Sequence, residues 1–103
     1  MTDAGAGLSK KQAEEIIRKS YHNGNFVLAE PHFTESMKKR NVIIRDILNV
    51  MEKFKIANDP QWNSDFEQYR CRVVGKNIEG VKLTVVVGIL PDQKDSIILL
   101  TVF

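Results

Sequence analysis

Several familiar signatures are missing from these 103 residues. There is one cysteine, Cys71, so no internal disulfide can form, and no Cys/His cluster has the spacing of a zinc site. No apolar run reaches the roughly 18 residues of a membrane span. The start, Met1 to Gly7, lacks the charged and apolar regions of a signal peptide, so a cytoplasmic protein without membrane association is expected. Charge of one sign is also lacking: the formal net charge is only +2. No glycine-rich phosphate loop, metal box, nucleophile elbow or paired-carboxylate signature is present, and neither a metal nor a cofactor is expected.

What the sequence does have is strand pattern at its C-terminal end. Three apolar runs, Tyr69 to Gly75, Val81 to Leu90 and Ser96 to Phe103, are separated by Gly75 to Gly80 and by Pro91 to Asp95, two connectors rich in Gly, Pro, Asn and Asp. Connectors of that chemistry and length predict hairpins, hence a three-stranded antiparallel meander. On the middle strand Val81, Leu83, Val85, Val87 and Ile89 fall on one face, predicted to be the core, and Lys82, Thr84, Val86, Gly88 and Leu90 on the other. On the last run Ile97, Leu99, Thr101 and Phe103 oppose Ile98, Leu100 and Val102, so neither face is polar. A cover, a substrate or a second copy of the chain in a homodimer is expected on the weaker face.

Helical signals precede the meander. Met1 to Leu8 is Gly/Ala-rich and reads as a disordered tail, leaving 9–103 as one α+β domain. Ser9-Lys10-Lys11-Gln12 has the form of a capping box, Ala13, Ile16, Ile17, Ser20 and Tyr21 recur at helical spacing, and Gly24 supplies the stop. Phe26-Val27-Leu28 is too short to classify. Thr34 is expected to cap a short helix running to Arg40, and Ile44, Ile47, Leu48, Met51 and Phe54 predict a second apolar stripe. Ala57 to Asp65 reads as a loop, with Trp62 folded back to close the core edge. The fold class is therefore α+β, with N-terminal helices packed on one face of a small antiparallel sheet.

The candidates for chemistry are scattered. Histidine is the side chain whose ordinary pKa lies nearest neutrality, which makes His22 and His32 the natural proton-transfer groups. His22 ends the first helix and reads as a surface residue. His32, between Pro31 and a basic helix, has two open roles, tethering a loop or moving a proton. From Thr34 to Ile56 six bases (Lys38, Lys39, Arg40, Arg45, Lys53, Lys55) outnumber three acids, which fits either a solvated helix face or a basic patch. Arg70 and Arg72 alternate with Tyr69, Cys71 and Val73, so they project from the outer sheet face, where Lys82 and Thr84 of the next strand are expected beside them. Such a cluster either protects the sheet or holds a phosphate.

His32-Phe33-Thr34-Glu35-Ser36-Met37-Lys38-Lys39-Arg40-Asn41-Val42, Asp46 to Met51, Arg72-Val73-Val74-Gly75, Leu83 to Val87 and Leu100-Thr101-Val102-Phe103 together resemble a family of small bacterial domains of unknown function. Its pattern has a His-x-x-x-Arg type helix, a turn, a second helix and strands ending in Thr-Val-Tyr. Here Asn41 stands for the turn glycine and Phe103 for the tyrosine. That family is similar to the RelE, MqsR and BrnT-like toxins of bacterial toxin–antitoxin pairs. The resemblance implies a metal-independent endoribonuclease that cleaves messenger RNA, and a cognate antitoxin as partner. It implies His32, Arg40 and Arg72 as catalytic residues, and Lys38, Lys39, Arg70 and Lys82 as the residues that bind RNA phosphate. The alternative is a non-catalytic module of the same fold that binds protein or nucleic acid.

Overall fold

A computed structural model describes residues 7–103. The tail expected over 1–8 lies largely outside the described residues, and Leu8 packs partly buried against the core. Three helices, α1 (Lys10–His22), α2 (His32–Arg40) and α3 (Ile44–Glu52), accompany six strands: β1 (Phe26–Leu28), β2 (Lys55–Ile56), β3 (Gln61–Asn63), β4 (Gln68–Lys76), β5 (Lys82–Leu90) and β6 (Gln93–Val102). The sheet runs β1-β6-β5-β4-β2, with β3 also paired to β4. The meander of β4, β5 and β6 is antiparallel, as its turns predict. The sheet as a whole is mixed rather than antiparallel. Phe26-Val27-Leu28 runs parallel to Ile97, Ile98 and Leu99, a direction that the long connection between them, through α2, α3 and the other strands, permits.

The helices lie on one face, α1 and α2 against β6 and α3 against β4. Ala13, Ile17, Phe33, Ile47, Val50 and Met51 from the helices meet Cys71, Val73, Val85, Val87, Ile97 and Leu99 from the strands in one buried cluster. Capping positions α1 as expected: the Ser9 N–H donates to Gln12 Oε1 at 2.8 Å and the Gln12 N–H to Ser9 Oγ at 3.1 Å. The start of α2 differs from the expectation. The Glu30 carboxylate, not Thr34, caps it by accepting from the Thr34 N–H at 3.1 Å and from the Thr34 hydroxyl. A carboxylate reaches the free N–H groups of the first turn as well as a hydroxyl does and adds favourable charge there. Asn41 ends the helix at φ 56°, the left-handed region that glycine and asparagine share.

Three other expectations change. Ile44 is exposed at the entry of α3, and Val81 lies in the β4–β5 turn at 57 % exposure, so neither joins the core. The loop of 57–65 contains β3 and follows directly on β2, two short strands on the β4 edge. Asn58 fills the gap between them, its Oδ1 accepting the Arg72 N–H at 2.9 Å. Trp62, on β3, packs edge-on against Tyr69 with ring centroids 5.1 Å apart and closes the core there.

The last strand breaks its own alternation. Val87 pairs with Leu99 but Val86 with Thr101, so Leu100 is an extra residue, a β-bulge. After it the parity reverses: Val102, expected on the outer face, is buried with Val85 in the core, and Leu100 and Thr101 both accompany Val86. The Val102 N–H, on the β6 edge beyond β1, donates to Ser36 Oγ at 3.2 Å, and Ser36 Oγ donates to the Phe33 carbonyl at 2.7 Å. That bridge docks α2 beside the bulge.

Candidate functional site

The face of the sheet away from the helices is open, and its residues follow from strand parity. Gln68, Arg70, Arg72, Val74 and Lys76 of β4 share it, since Tyr69, Cys71 and Val73 point into the core. Across β5 they meet Gly88 beside Arg70, Val86 beside Arg72, Thr84 beside Val74 and Lys82 beside Lys76. Gly88 has a local reason: a Cβ there would stand 3.1 Å from Gln68 Oε1. The missing side chain gives the buried Gln68 amide a place to lie, and Gln68 Oε1 in turn accepts the Arg70 Nε–H at 2.9 Å.

Both arginines sit on aromatic rings. The Arg70 guanidinium lies over Phe66 at 5.0 Å from the centroid and Arg72 over Phe103 at 5.6 Å. Phe66 is 65 % exposed, so its ring is a platform rather than core. Among the described residues the ion pair is Arg18–Glu14, on α1, and no carboxylate pairs with either arginine of the sheet. A guanidinium held on its face by a ring keeps its planar fork of N–H groups directed outward, the geometry that suits a bidentate phosphate contact.

A hollow of about 980 Å³ occupies this face. Its floor is Arg70, Arg72, Val86, Ile98, Leu100 and Thr101; Asn58, Gln61, Asn63 and Phe66 form one wall, Ala29 and His32 the other. The bulge at Leu100 shapes the floor, and the β1–α2 corner brings in His32. Thus His32, Arg70 and Arg72, far apart in the chain, line one cavity. Lys38, Lys39 and Arg40 do not join them. They are exposed on the last turn of α2, and nine helical residues put Arg40 roughly 12 Å from His32 along the axis. Lys82 shares the open face, but it pairs with Lys76 near the other end of β4 and borders a separate hollow, so the expected three-cation cluster with Arg70 and Arg72 does not form.

Gln68, Asn58, Asn63 and Phe66 belong to the hollow without having been singled out in the sequence. Gln68 was the legible one, having the same strand parity as Arg70 and Arg72. Asn58 and Asn63 sit in what reads as loop and are placed by their bonding to β4, and Phe66 lies in the turn between β3 and β4. Cys71 lies on the buried side, 1 % exposed, and burial pushes its thiol pKa up to about 12, so it is inert at neutral pH. His22 is exposed at the end of α1 against the Tyr21 ring. No three His, Cys, Asp or Glu side chains come together in a metal-binding group among the described residues, and no helix is long and apolar enough to cross a membrane.

The architecture defines a class: a small α+β domain with helices on one face of a mixed sheet and, on the other, a basic hollow with an exposed phenylalanine on its wall. The chain belongs to the family described as Domain of unknown function (DUF4258), whose model matches residues 30–103. The match covers every element that lines the hollow except Ala29 and leaves α1 and β1 outside it. No curated protein and no solved structure matches the chain.

Proposed function

We propose that this domain binds single-stranded RNA in the open hollow and cleaves it by attack of a ribose 2′-hydroxyl on the adjacent phosphate, as a toxin-type endoribonuclease. The observation that supports it is the meeting of His32 with Arg70 and Arg72 around one cavity, with Phe66 exposed on its wall. In this chemistry the 2′ oxygen gives its proton to a base and bonds to phosphorus, and the bond from phosphorus to the 5′ oxygen breaks as that oxygen takes up a proton from an acid. The products are a 2′,3′-cyclic phosphate and a 5′-hydroxyl end. His32 is the proton-transfer group. Arg70 and Arg72 hold the phosphate and offset the charge that builds on its oxygens in the transition state. Phe66 offers a ring for a base to stack on, which requires no particular sequence. Arg40, Lys38 and Lys39, outside the hollow, contribute by holding RNA backbone beyond it. The toxin role, and an antitoxin that adds a segment to an exposed strand edge, rest on the resemblance to RelE, MqsR and BrnT-like proteins.

The test is cleavage of a labelled single-stranded RNA by purified protein, with and without ribosomes. Cleavage is expected to survive EDTA and to leave cyclic phosphate ends. His32→Ala is expected to lower the rate by about 10²-fold or more with RNA affinity and melting temperature nearly unchanged. Arg72→Ala is expected to weaken both binding and cleavage. If His32→Ala cuts as fast as wild type, His32 is a structural residue. Wild type that binds RNA without cutting it leaves a binding module on the same face, and wild type that does neither removes the RNA reading.

A further inference from the structure

Beyond Arg72, at the β4 edge where β4 outruns β2, a second hollow of about 530 Å³ lies between the open face and α3. Lys53, Lys55, Lys76 and Lys82 border it, with Val74 as floor and Asn49 and Glu52 behind. These lysines come from three separate segments. Asn49 fixes the strand end there, its Nδ2 donating to the Lys76 carbonyl at 2.8 Å and the Asn77 carbonyl at 3.2 Å. Gly75 lets α3 approach, since a Cβ on it would stand 3.0 Å from Val50 Cα and Val50 O.

The charge arrangement here is unfavourable in the protein alone. Lys76 lies directly across from Lys82, and Lys55 directly across from Val74 on the same face. Like charges in directly opposed strand positions repel. None of the four lysines has a carboxylate within ion-pair distance among the described residues, where the ion pair is Arg18–Glu14. Glu52, the one acid on this hollow, interacts with the Tyr21 hydroxyl instead. An anionic ligand would remove the repulsion.

We infer that this lysine hollow is a second phosphate-binding subsite for the same RNA strand, so that a single strand leaves the arginine hollow and runs along β4 over Val74 and Thr84 to Lys76 and Lys82. This rests on the RNA reading above and adds the path and minimum length of the substrate. From Arg70 to Lys76 the strand covers roughly 20 Å at about 3.3 Å per residue. A path of that length suits a site of about four nucleotides or more, the low end of the range for single-strand binders. Thr84, between the hollows, and Val74, on the floor of the second, carry no charge, so the contacts concentrate at the two ends.

The probes are a fluorescein-labelled uridine decamer and a labelled dinucleotide, each titrated by anisotropy over a series of salt concentrations. Wild type is expected to bind the decamer far more tightly than the dinucleotide. In Lys76→Ala/Lys82→Ala the decamer affinity is expected to fall about tenfold, and its salt slope to flatten by about 1.4, at about 0.7 for each phosphate of a single strand that a lysine no longer neutralises. The dinucleotide, too short to leave the arginine hollow, should move by less than twofold, and the melting temperature should hold or rise as the repulsion is relieved. A decamer affinity and slope unchanged in the double variant overturn the path, whatever the cleavage assay gives. Wild type that binds the decamer with the expected lysine dependence but cuts nothing leaves the path standing and removes the chemistry. A double variant that melts several degrees lower would show that the lysines support the fold, and would overturn the inference as well.

Discussion

Asp46 shows how one side chain can hold the two ends of an architecture. It is 7 % exposed, and its two carboxylate oxygens accept N–H groups from different places, Ile43 at 3.1 Å before α3 and Ile78 at 3.0 Å in the β4–β5 turn. In the sequence it counts only as one of three acids in a basic stretch, because its second partner is 32 residues away. Hydrogen bonds to a charged acceptor contribute about 1.5–3 kcal/mol each, and removing the acceptor leaves two partly buried donors without it. Asp46→Ala should therefore destabilise the domain by about 2–4 kcal/mol in urea unfolding. Asp46→Asn, which keeps one acceptor oxygen, should cost about half as much. Equal stability of the two variants would mean the turn does not depend on this carboxylate.

Among the elements, β5 carries the greatest consequence, since it is bonded on both sides by β4 and β6 and sits at the centre of the sheet. Val85 is fully buried there, between Val73 and Val102. Val85→Asp places a charge with no partner in that layer, a cost of several kcal/mol and comparable with the whole stability of a small domain. Circular dichroism and thermal melting of the variant should show an unfolded chain at room temperature; a wild-type melt would contradict this burial. The bulge in β6 is the other feature at this scale. It changes which residues the last strand offers each face, and so determines both the floor of the arginine hollow and the docking of α2 through Ser36.

For the whole molecule, the burial of Cys71 gives a pH signature. Its thiol pKa is raised by burial from 9.0 to about 12, so between these values the native state keeps a proton that the unfolded chain has released. Stability is then full below about pH 9 and falls as pH rises towards 12, by about 4 kcal/mol at most from this group, at 1.36 kcal/mol per unit. Tyr21, raised to about 12 by burial first and then by Glu52, acts in the same direction, but it is partly exposed and contributes less. Urea unfolding of wild type and Cys71→Val at pH 8, 9.5 and 10.5 should show wild type losing stability faster. Parallel curves would mean that the thiol ionises as readily in the fold as outside it.

Local physics in the sequence determined a good part of this molecule: the capping box and stripe of α1, the three helices, the antiparallel meander, and the outward parity of Arg70 and Arg72. Each depends on residues within a turn or a strand of one another, where period and turn chemistry are decisive. Tertiary structure decided the rest. Phe26 to Leu28 is a strand only because β6 is present to bond it, and β2 and β3 exist only on the β4 edge. Thr101 and Val102 exchanged faces through a bulge that no alternation rule foresees, and Asn41 could replace a glycine because the left-handed turn accepts both. The candidate site was legible as residue types, since His32, Arg70 and Arg72 were each distinguishable in the sequence. That His32 stands with the two arginines, while Arg40 and Lys82 stand apart from them, depends on the β1–α2 corner and on the β4–β5 register. These are relations between distant segments, and no window of the sequence contains both partners.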